Sequence, residues 1–423
     1  MIATITPSVL YGKVSAPPGK SAMQRACALA LLNKGKTVIQ NPGNSNDDIV
    51  AMKIIEELGA NIHFEAGELI VISTGKVSAA AAINCGESGL SLRMFAPIAA
   101  LCNSTLLLKG TGSLLKRPMN FIDEVFPLLN VRTVSNNGFL PISITGPLHP
   151  KNISIDGSSS SQYLTGLLFA FAASVKERVS ITVDNLKSKP YIDLSLKLLQ
   201  HFGYEVSHDQ YKIFYVAPAR TTEKNITYYT EADWSSASFL LVAAAIGGIV
   251  QVKGLDIHSV QADKSILNVL QQCNADINIA ADVISVTNKN QLHPFEFDAT
   301  DCPDLFPPLV ALAAYCSGTS VITGISRLAA KESNRAETLV NVFSKMGILI
   351  VLKGDAMFIT GGKGIFSATV SSHHDHRIAM AAAIAGLNAS GNMVIQDAEA
   401  VNKSYPDFYK HLVMLGAQVS LSN

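Results

Sequence analysis

Two rhythms of apolar residues alternate along the chain. Ala22, Ala26, Leu29 and Ala30 recur every three or four positions, which places them on one face of a helix over 21–32. Asn33-Lys-Gly35 reads as its stop, and 37–40 follows as a short strand. Asn41-Pro-Gly-Asn-Ser45 is turn material, with Ser45 or Asn46 as N-cap. Ile49, Met52, Ile55 and Leu58 then resume helical spacing, and Gly59 ends that helix. Residues 61–64 and 69–72 alternate as a hairpin around Ala66-Gly67. The unit reads helix, strand, helix, strand, strand.

The same order returns down the chain. A polar turn opens each apolar, alanine-rich helix. The six turns carry Ser21, Ser88, Ser160, Ser235, Asp304 and His376, at intervals of 67, 72, 75, 69 and 72. A spacing held five times marks an internal repeat. Second helices are expected near 120–129, 192–202, 262–273, 336–346 and 407–415, each followed by a strand pair except the last. An unclaimed strand at 3–6 is expected to complete that last unit. The chain then crosses between domains near 14–20 and 225–233, so the expected lobes are 15–230, and 1–14 with 231–423. The stretches 239–246 and 378–387 are apolar on most sides, so their helices belong inside, with sheets outside. The expected fold is α/β, with six repeats, three in each domain.

At 423 residues, 48% hydrophobic and 16% charged, the chain is too long for one ordinary core and well supplied for two. Thirty-three basic and 33 acidic residues give zero formal charge, which removes any global case for nucleic acid or an acidic membrane as partner. The best apolar run, 239–250, stops short of the roughly 18 residues a membrane span needs and contains glycines. The start, 1–7, lacks the basic-then-apolar build of a signal peptide. Cys27, Cys85, Cys102, Cys273, Cys302 and Cys316 form no CxxC pair, and several sit among small apolar residues as buried free thiols would. Together these point to a cytoplasmic protein.

Chemistry gathers at the helix starts. Lys20, Arg25, Arg93, Arg117, Lys331, Arg335, Arg377 and Lys403 all lie in or beside first turns, interleaved with Ser21, Ser88 and the run Ser158–Ser161. A helix N-terminus offers free N–H groups and partial positive charge. Cations placed there work against that preference unless an external anion binds, so a small polyanionic substrate is expected. His373, His374 and His376 with Asp375 do not make a convincing metal site, because adjacent residues cannot all point one way and Arg377 repels a cation. The serine run has no base–orienter partner for nucleophilic catalysis. Gly-rich nucleotide fingerprints are absent, and Trp234 with scattered aromatics makes no stacking platform for nucleic acid.

At these residues the chain resembles the 5-enolpyruvylshikimate-3-phosphate synthase family, over essentially its whole length. The resemblance rests on Gly19-Lys-Ser21 with Arg25, Gly89 with Arg93, Lys116-Arg-Pro118, Asp156-Gly-Ser-Ser-Ser-Ser-Gln162 and Ser188-Lys-Pro-Tyr191. It continues through Asp304, Lys331-Glu-Ser-Asn-Arg335, Asp375-His-Arg-Ile-Ala-Met380 and Lys403-Ser-Tyr-Pro406. It implies the two-domain enolpyruvyl transferase-like fold, six βαβαββ repeats with the active site in the cleft. It implies transfer of the carboxyvinyl group of phosphoenolpyruvate to the 5-hydroxyl of shikimate 3-phosphate, releasing phosphate, on the route to chorismate and the aromatic amino acids. By the same resemblance Lys20, Ser21, Arg25, Ser160, Ser161, Ser188, Tyr191, Asp304 and Lys331 hold shikimate 3-phosphate. Lys20, Gly89, Arg117, Gln162, Arg335, Arg377 and Lys403 hold phosphoenolpyruvate. Asp304 is the expected base; Glu332 and Lys403, with His376 behind them, are the candidates for delivering a proton to the vinyl methylene. Domain closure on substrate is expected, with no cofactor or metal, in a monomer.

Two rival readings are a transferase acting on UDP-N-acetylglucosamine and a non-catalytic anion-binding scaffold. The first uses a loop cysteine, and Gly112-Ser-Leu-Leu-Lys-Arg117 has none. The second gains nothing from carboxylates in an anion site. The chain also departs from the family pattern. Leu90 and Met94 stand where threonine and proline are frequent, Arg327 where a small polar residue is common, and Ala329-Ala330 precede Lys331. Leu90 and Met94 are bulkier and apolar, so the phosphoenolpyruvate pocket wall is expected to differ, and with it the response to the phosphonate glyphosate. Half-inhibitory concentrations of the natural chain and a Leu90→Thr, Met94→Pro variant should therefore differ; identical values would refute the expectation.

Overall fold

The computed structural model describes residues 1–219, 223–280, 282–329 and 331–422. The chain divides into a continuous unit, 18–230, and a discontinuous one in which 1–17 joins 231–423.

In the continuous unit the helices Lys20–Leu32, Gly89–Ala99 and Ser161–Ser174 pack against one another. Every side chain from Ala22 to Leu32 is buried, Gln24 and Arg25 included. A helix that is covered on all sides has no solvent face to give up, so it lies within the core and sheets close over it. The alanines keep the helix surfaces slim enough for that.

Three four-stranded sheets surround these helices, and their strands alternate buried with half-buried or exposed residues, as in Val179–Asp184. Ala82–Asn84 pairs parallel to Thr105–Lys109, and Ile153–Asp156 parallel to Val179–Asp184, each pair flanking a central helix in sequence. The third sheet differs. Lys34–Gln40 takes its parallel partner from Ile226–Tyr229, at the far end of the unit.

The discontinuous unit repeats this plan. Its central helices are Trp234–Gly247, Phe306–Tyr315 and His376–Gly386, and the last is buried at every residue. Trp234, fully buried, donates its Nε1–H to the Asp256 carbonyl at 3.0 Å. The N-terminal strand Ile2–Thr6 lies between Met393–Gln396 and Gln418–Ser422, antiparallel to both, with Ala3 and Ile5 fully buried. Leu10–Ser15 pairs parallel to Gly248–Lys253. Each place where the chain passes from one unit to the other is thus preceded by a strand that stays behind to complete a sheet. No helix among the described residues is long and apolar enough to cross a membrane.

Several expectations from the pattern need correction. Gly35 does not end the first helix; it sits inside the strand Lys34–Gln40, and Asn33 is the C-cap. Ile49 is 39% exposed, because Ala51, Met52, Ile54 and Ile55 form the buried face. The helix expected over 120–129 is only Asn120–Val125, followed by a 3-10 turn beginning at Pro127, whose ring nitrogen has no hydrogen to continue the ladder. Over 262–273 the first turn is 3-10 and the α-helix starts at Ile266. Of the strands that precede central helices, Ala82–Asn84 and Glu296–Asp298 have three residues each, too few for an alternation to register. Ala330 lies outside the described residues.

The helix Asn46–Glu57 begins with a capping box: Ser45 Oγ accepts from the Asp48 N–H, and Asp48 Oδ2 accepts from the Ser45 N–H at 3.1 Å and its hydroxyl at 2.6 Å. Asp48 Oδ1 is buried without a hydrogen-bond partner among the described residues. Burial pushes this carboxyl up to about 7, against the pull of the Ser45 hydrogen bonds and Lys20. A raised native value means that Asp48 favours the fold below the ordinary carboxylate range and that this contribution is lost as pH rises through about 7. Between pH 4 and pH 8, thermal unfolding of Asp48→Asn relative to the natural chain should move in the variant's favour by about 2–4 kcal/mol. A difference that does not change with pH would contradict the assignment.

Candidate active site

In the continuous unit the three central helices each bring a first turn without an acid. That leaves their positive ends uncompensated. Lys20 opens the first and pairs with Asp47 at 2.8 Å. One turn on, Arg25 is 1% exposed; it donates to Ser195 Oγ at 2.9 Å and to the carbonyls of Ser21 at 2.8 Å and Tyr191 at 3.4 Å. No carboxylate partners it among the described residues. Burial lowers its guanidinium to about 10, with Tyr191 and Tyr228 acting weakly the other way. An unpaired buried cation costs several kcal/mol, which an arriving anion offsets.

Gly89 begins the second helix behind the N-cap Ser88. A Cβ there would lie 2.9 Å from Arg93 Nη1 and 3.0 Å from Arg117 Nη1, so two guanidiniums converge on the start of this helix. Arg93 reaches Gln162 Oε1 at 2.9 Å and stands 5.6 Å from the centre of the Tyr163 ring. Its Nε is buried without a hydrogen-bond partner among the described residues. Arg117 is 6% exposed and reaches Ser113. Ser160 caps the third helix, accepting from the Gln162 N–H at 3.2 Å, and Ser161 is buried. Ser188 caps Lys189–His201 with φ +56, a left-handed backbone that a serine seldom adopts; such positions cluster at functional sites. Tyr191 is half-buried in that helix's first turn. Leu90 and Met94 are both buried within the helix Gly89–Ala99.

The discontinuous unit holds an ion-pair cluster. Arg335, 1% exposed, opens the helix Arg335–Lys345 and uses its whole guanidinium fork. Nε meets Asp375 Oδ2 at 2.8 Å; Nη2 meets Asp375 Oδ1 at 3.2 Å and Glu332 Oε2 at 2.6 Å; Nη1 meets Asp304 Oδ1 at 2.7 Å. Asp304 also accepts from Lys331 at 3.2 Å and from Arg377 Nη2 at 3.1 Å. Burial pushes the Asp304 carboxyl up, but Arg377, Lys331 and Arg335 outweigh it and hold the group well below the usual carboxylate range. Burial lowers Lys331, partly opposed by Asp304. Burial also works against Arg335, yet Asp375, Glu332 and Asp304 raise it. Arg327 is half-buried close enough to feel Asp301 and Asp304, so a further cation borders the cluster.

The structure therefore brings Asp304, Lys331, Glu332, Arg335 and Arg377 together. Lys403 is 7% exposed in the 3-10 segment Ala398–Lys403. His376, 1% exposed at the start of its helix, has Nδ1 3.8 Å from Asp375. His373 and His374 are exposed on a turn with left-handed backbone and do not share its face. His374 instead lies with Asp397 and Glu399, their donor atoms within 4.8 Å of one another. Asp47 and Ser195 carry no signal for the site in the sequence, and Asp375, part of the motif 375–380, has contacts that the motif does not announce. Asp375 caps the helix His376–Gly386 through the Arg377 N–H at 3.0 Å while also gripping Arg335. Its place before a helical run was a readable capping signal; its second role was not.

A solved enolpyruvyl transferase, NikO from Streptomyces tendae, shares the fold, with a TM-score of 0.79 and 17% identity over 99% of this chain and 98% of that one. The chain thus has the enolpyruvyl transferase-type fold. The family profile described as EPSP synthase (3-phosphoshikimate 1-carboxyvinyltransferase) matches residues 5–412, and the chain belongs to that family. It is 34% identical to the 3-phosphoshikimate 1-carboxyvinyltransferase of Clostridium novyi, over 97% of each chain. A solved EPSP synthase from Acinetobacter baumannii superposes with a TM-score of 0.83 and 26% identity, covering 99% of this chain and 100% of that one.

Asp375 is fully buried and bonded to a guanidinium that is almost as deep. Removing one partner of such a pair leaves an uncompensated charge inside. In urea at pH 7, Asp375→Asn should lose about 3–5 kcal/mol of stability. A loss within experimental error of zero would show that Arg335 finds other partners.

Proposed function

We propose that the chain transfers the carboxyvinyl group of phosphoenolpyruvate to the 5-hydroxyl of shikimate 3-phosphate and releases phosphate, the reaction of its family. The observation that carries this reading is Asp304, a single carboxylate faced by Arg335, Lys331 and Arg377. A site built to hold one anion already has that anion. A site built for chemistry keeps a carboxylate among cations that substrates can draw away.

Lys20, Ser21, Arg25, Ser160, Ser161, Ser188, Tyr191 and Lys331 hold shikimate 3-phosphate in this scheme, and Gly89, Arg117, Gln162, Arg335, Arg377 and Lys403 hold phosphoenolpyruvate. The convergence of Arg93 and Arg117 on Gly89 suits a phosphate or carboxylate, since a guanidinium fork matches either. Arg25, buried with no carboxylate partner among the described residues, supplies attraction to an anion.

Asp304 starts as a poor base, because three cations stabilise its ionised form. Each substrate anion that takes Lys331, Arg335 or Arg377 weakens that hold, raises the proton affinity of Asp304 and readies it for the 5-hydroxyl proton. Base strength is thereby tied to occupancy. Glu332 lies against Arg335 at 2.6 Å as an acceptor, so the ammonium of Lys403 is the better source of the proton for the vinyl methylene. Fixed positive charge stabilises the tetrahedral intermediate. The scheme calls on no cofactor, metal or second subunit.

Phosphate release from phosphoenolpyruvate should require shikimate 3-phosphate and should not occur with UDP-N-acetylglucosamine. Asp304→Asn should lower kcat by about 10²–10⁴-fold while both substrates still bind. Release with the nucleotide sugar, or an Asp304→Asn enzyme of near-normal kcat, would overturn the reading.

A further inference from the structure

A carboxylate of the continuous unit remains outside these roles. Glu87 lies in the turn between Ala82–Asn84 and Gly89–Ala99, two residues before Gly89. Its Oε2 accepts from the Ser113 hydroxyl at 3.1 Å and from the Ser113 N–H at 3.4 Å. Ser113 Oγ in turn accepts from Arg117 Nη2 at 2.9 Å. A hydroxyl has one proton to give. Donated to Glu87, it leaves the serine lone pairs facing the guanidinium, so the bonds run in one direction from Arg117 through Ser113 to Glu87.

The backbone holds the two loops in the same register. Thr111 N–H donates to the Gly86 carbonyl at 2.7 Å. Gly112 has φ +52, and a Cβ on it would collide with the Glu87 carboxylate. The loop carrying Arg117 is thus shaped around Glu87. Arg117 itself follows directly on the 3-10 turn Gly112–Lys116, whose short ladder fixes a side chain less firmly than an α-helix does. Its Nη1 faces Gly89 beside that of Arg93. A long side chain aimed at an anion needs an anchor on its far side, and the Ser113 contact supplies one.

We propose that Glu87 is a positioning residue for the reaction, setting Arg117 against the anionic donor through Ser113. This rests on the reading that Arg117 binds phosphoenolpyruvate. A positioning role predicts an effect confined to one substrate. A mere loop staple predicts loss of stability with kinetics intact.

The test is steady-state phosphate release by the full chain at saturating shikimate 3-phosphate, for Glu87→Gln, Glu87→Ala, Ser113→Ala and the Glu87→Ala, Ser113→Ala double variant. Glu87→Ala and Ser113→Ala should each raise KM for phosphoenolpyruvate by about tenfold, as expected for a lost hydrogen bond to a charged group. kcat and KM for shikimate 3-phosphate should change far less. Glu87→Gln keeps an amide oxygen for Ser113 and should recover most of the loss. The double variant should be no worse than either single one, because the two groups act in series. Unchanged KM, additive losses or failure of glutamine to rescue would each overturn the proposal. Should Glu87→Ala not fold, Ser113→Ala carries the same KM test. A natural chain inactive with both substrates would sink the functional reading and this proposal with it; an active one with unaltered variants would sink only the proposal.

Discussion

The buried guanidinium of Arg335 organises the discontinuous unit's chemistry. At 1% exposure it cannot rely on water, so its N–H groups are met by Asp375, Glu332 and Asp304. Those three carboxylates come from three separate stretches of chain. Asp375 is itself the cap of a central helix. One ion therefore ties a helix start, a loop and the Asp304 carboxylate into a single geometry, and none of them can shift without stranding a charge.

The two units solve the problem of buried charge differently. Around Asp304, three cations meet three carboxylates, so the charges there are matched within the fold. In the continuous unit Arg25 and Arg93 have no carboxylate partner among the described residues. Hydroxyls, carbonyls, an amide and an aromatic face hold them instead. Such neutral partners orient a guanidinium without spending its charge. The continuous unit thereby keeps positive charge uncancelled by carboxylates, whereas the cluster at Asp304 is balanced within itself.

Much of this was legible from residue order. The all-round apolar runs at 239–246 and 378–387 are buried helices, as a helix with no polar face must be. Gly19-Lys-Ser21, Gly89 and Asp375-His-Arg377 stand at helix starts, as the clustering of cations and hydroxyls there implies. The three-residue strands were not legible, because an alternation needs more positions than they have. Nor was Ile49, whose helical spacing is shared by a neighbouring set that takes the core instead.

What the sequence determined by itself is the family, the kinds of element and the set of charged side chains offered at helix ends, since these follow from local periodicity, capping and motif. What only the tertiary structure decided is who meets whom. Glu87 and Ser113, Arg25 and Ser195, or Asp304 and Arg377 lie from 26 to 170 positions apart. Their contacts depend on how sheets close over buried helices, and no pattern within a turn or two of chain encodes that.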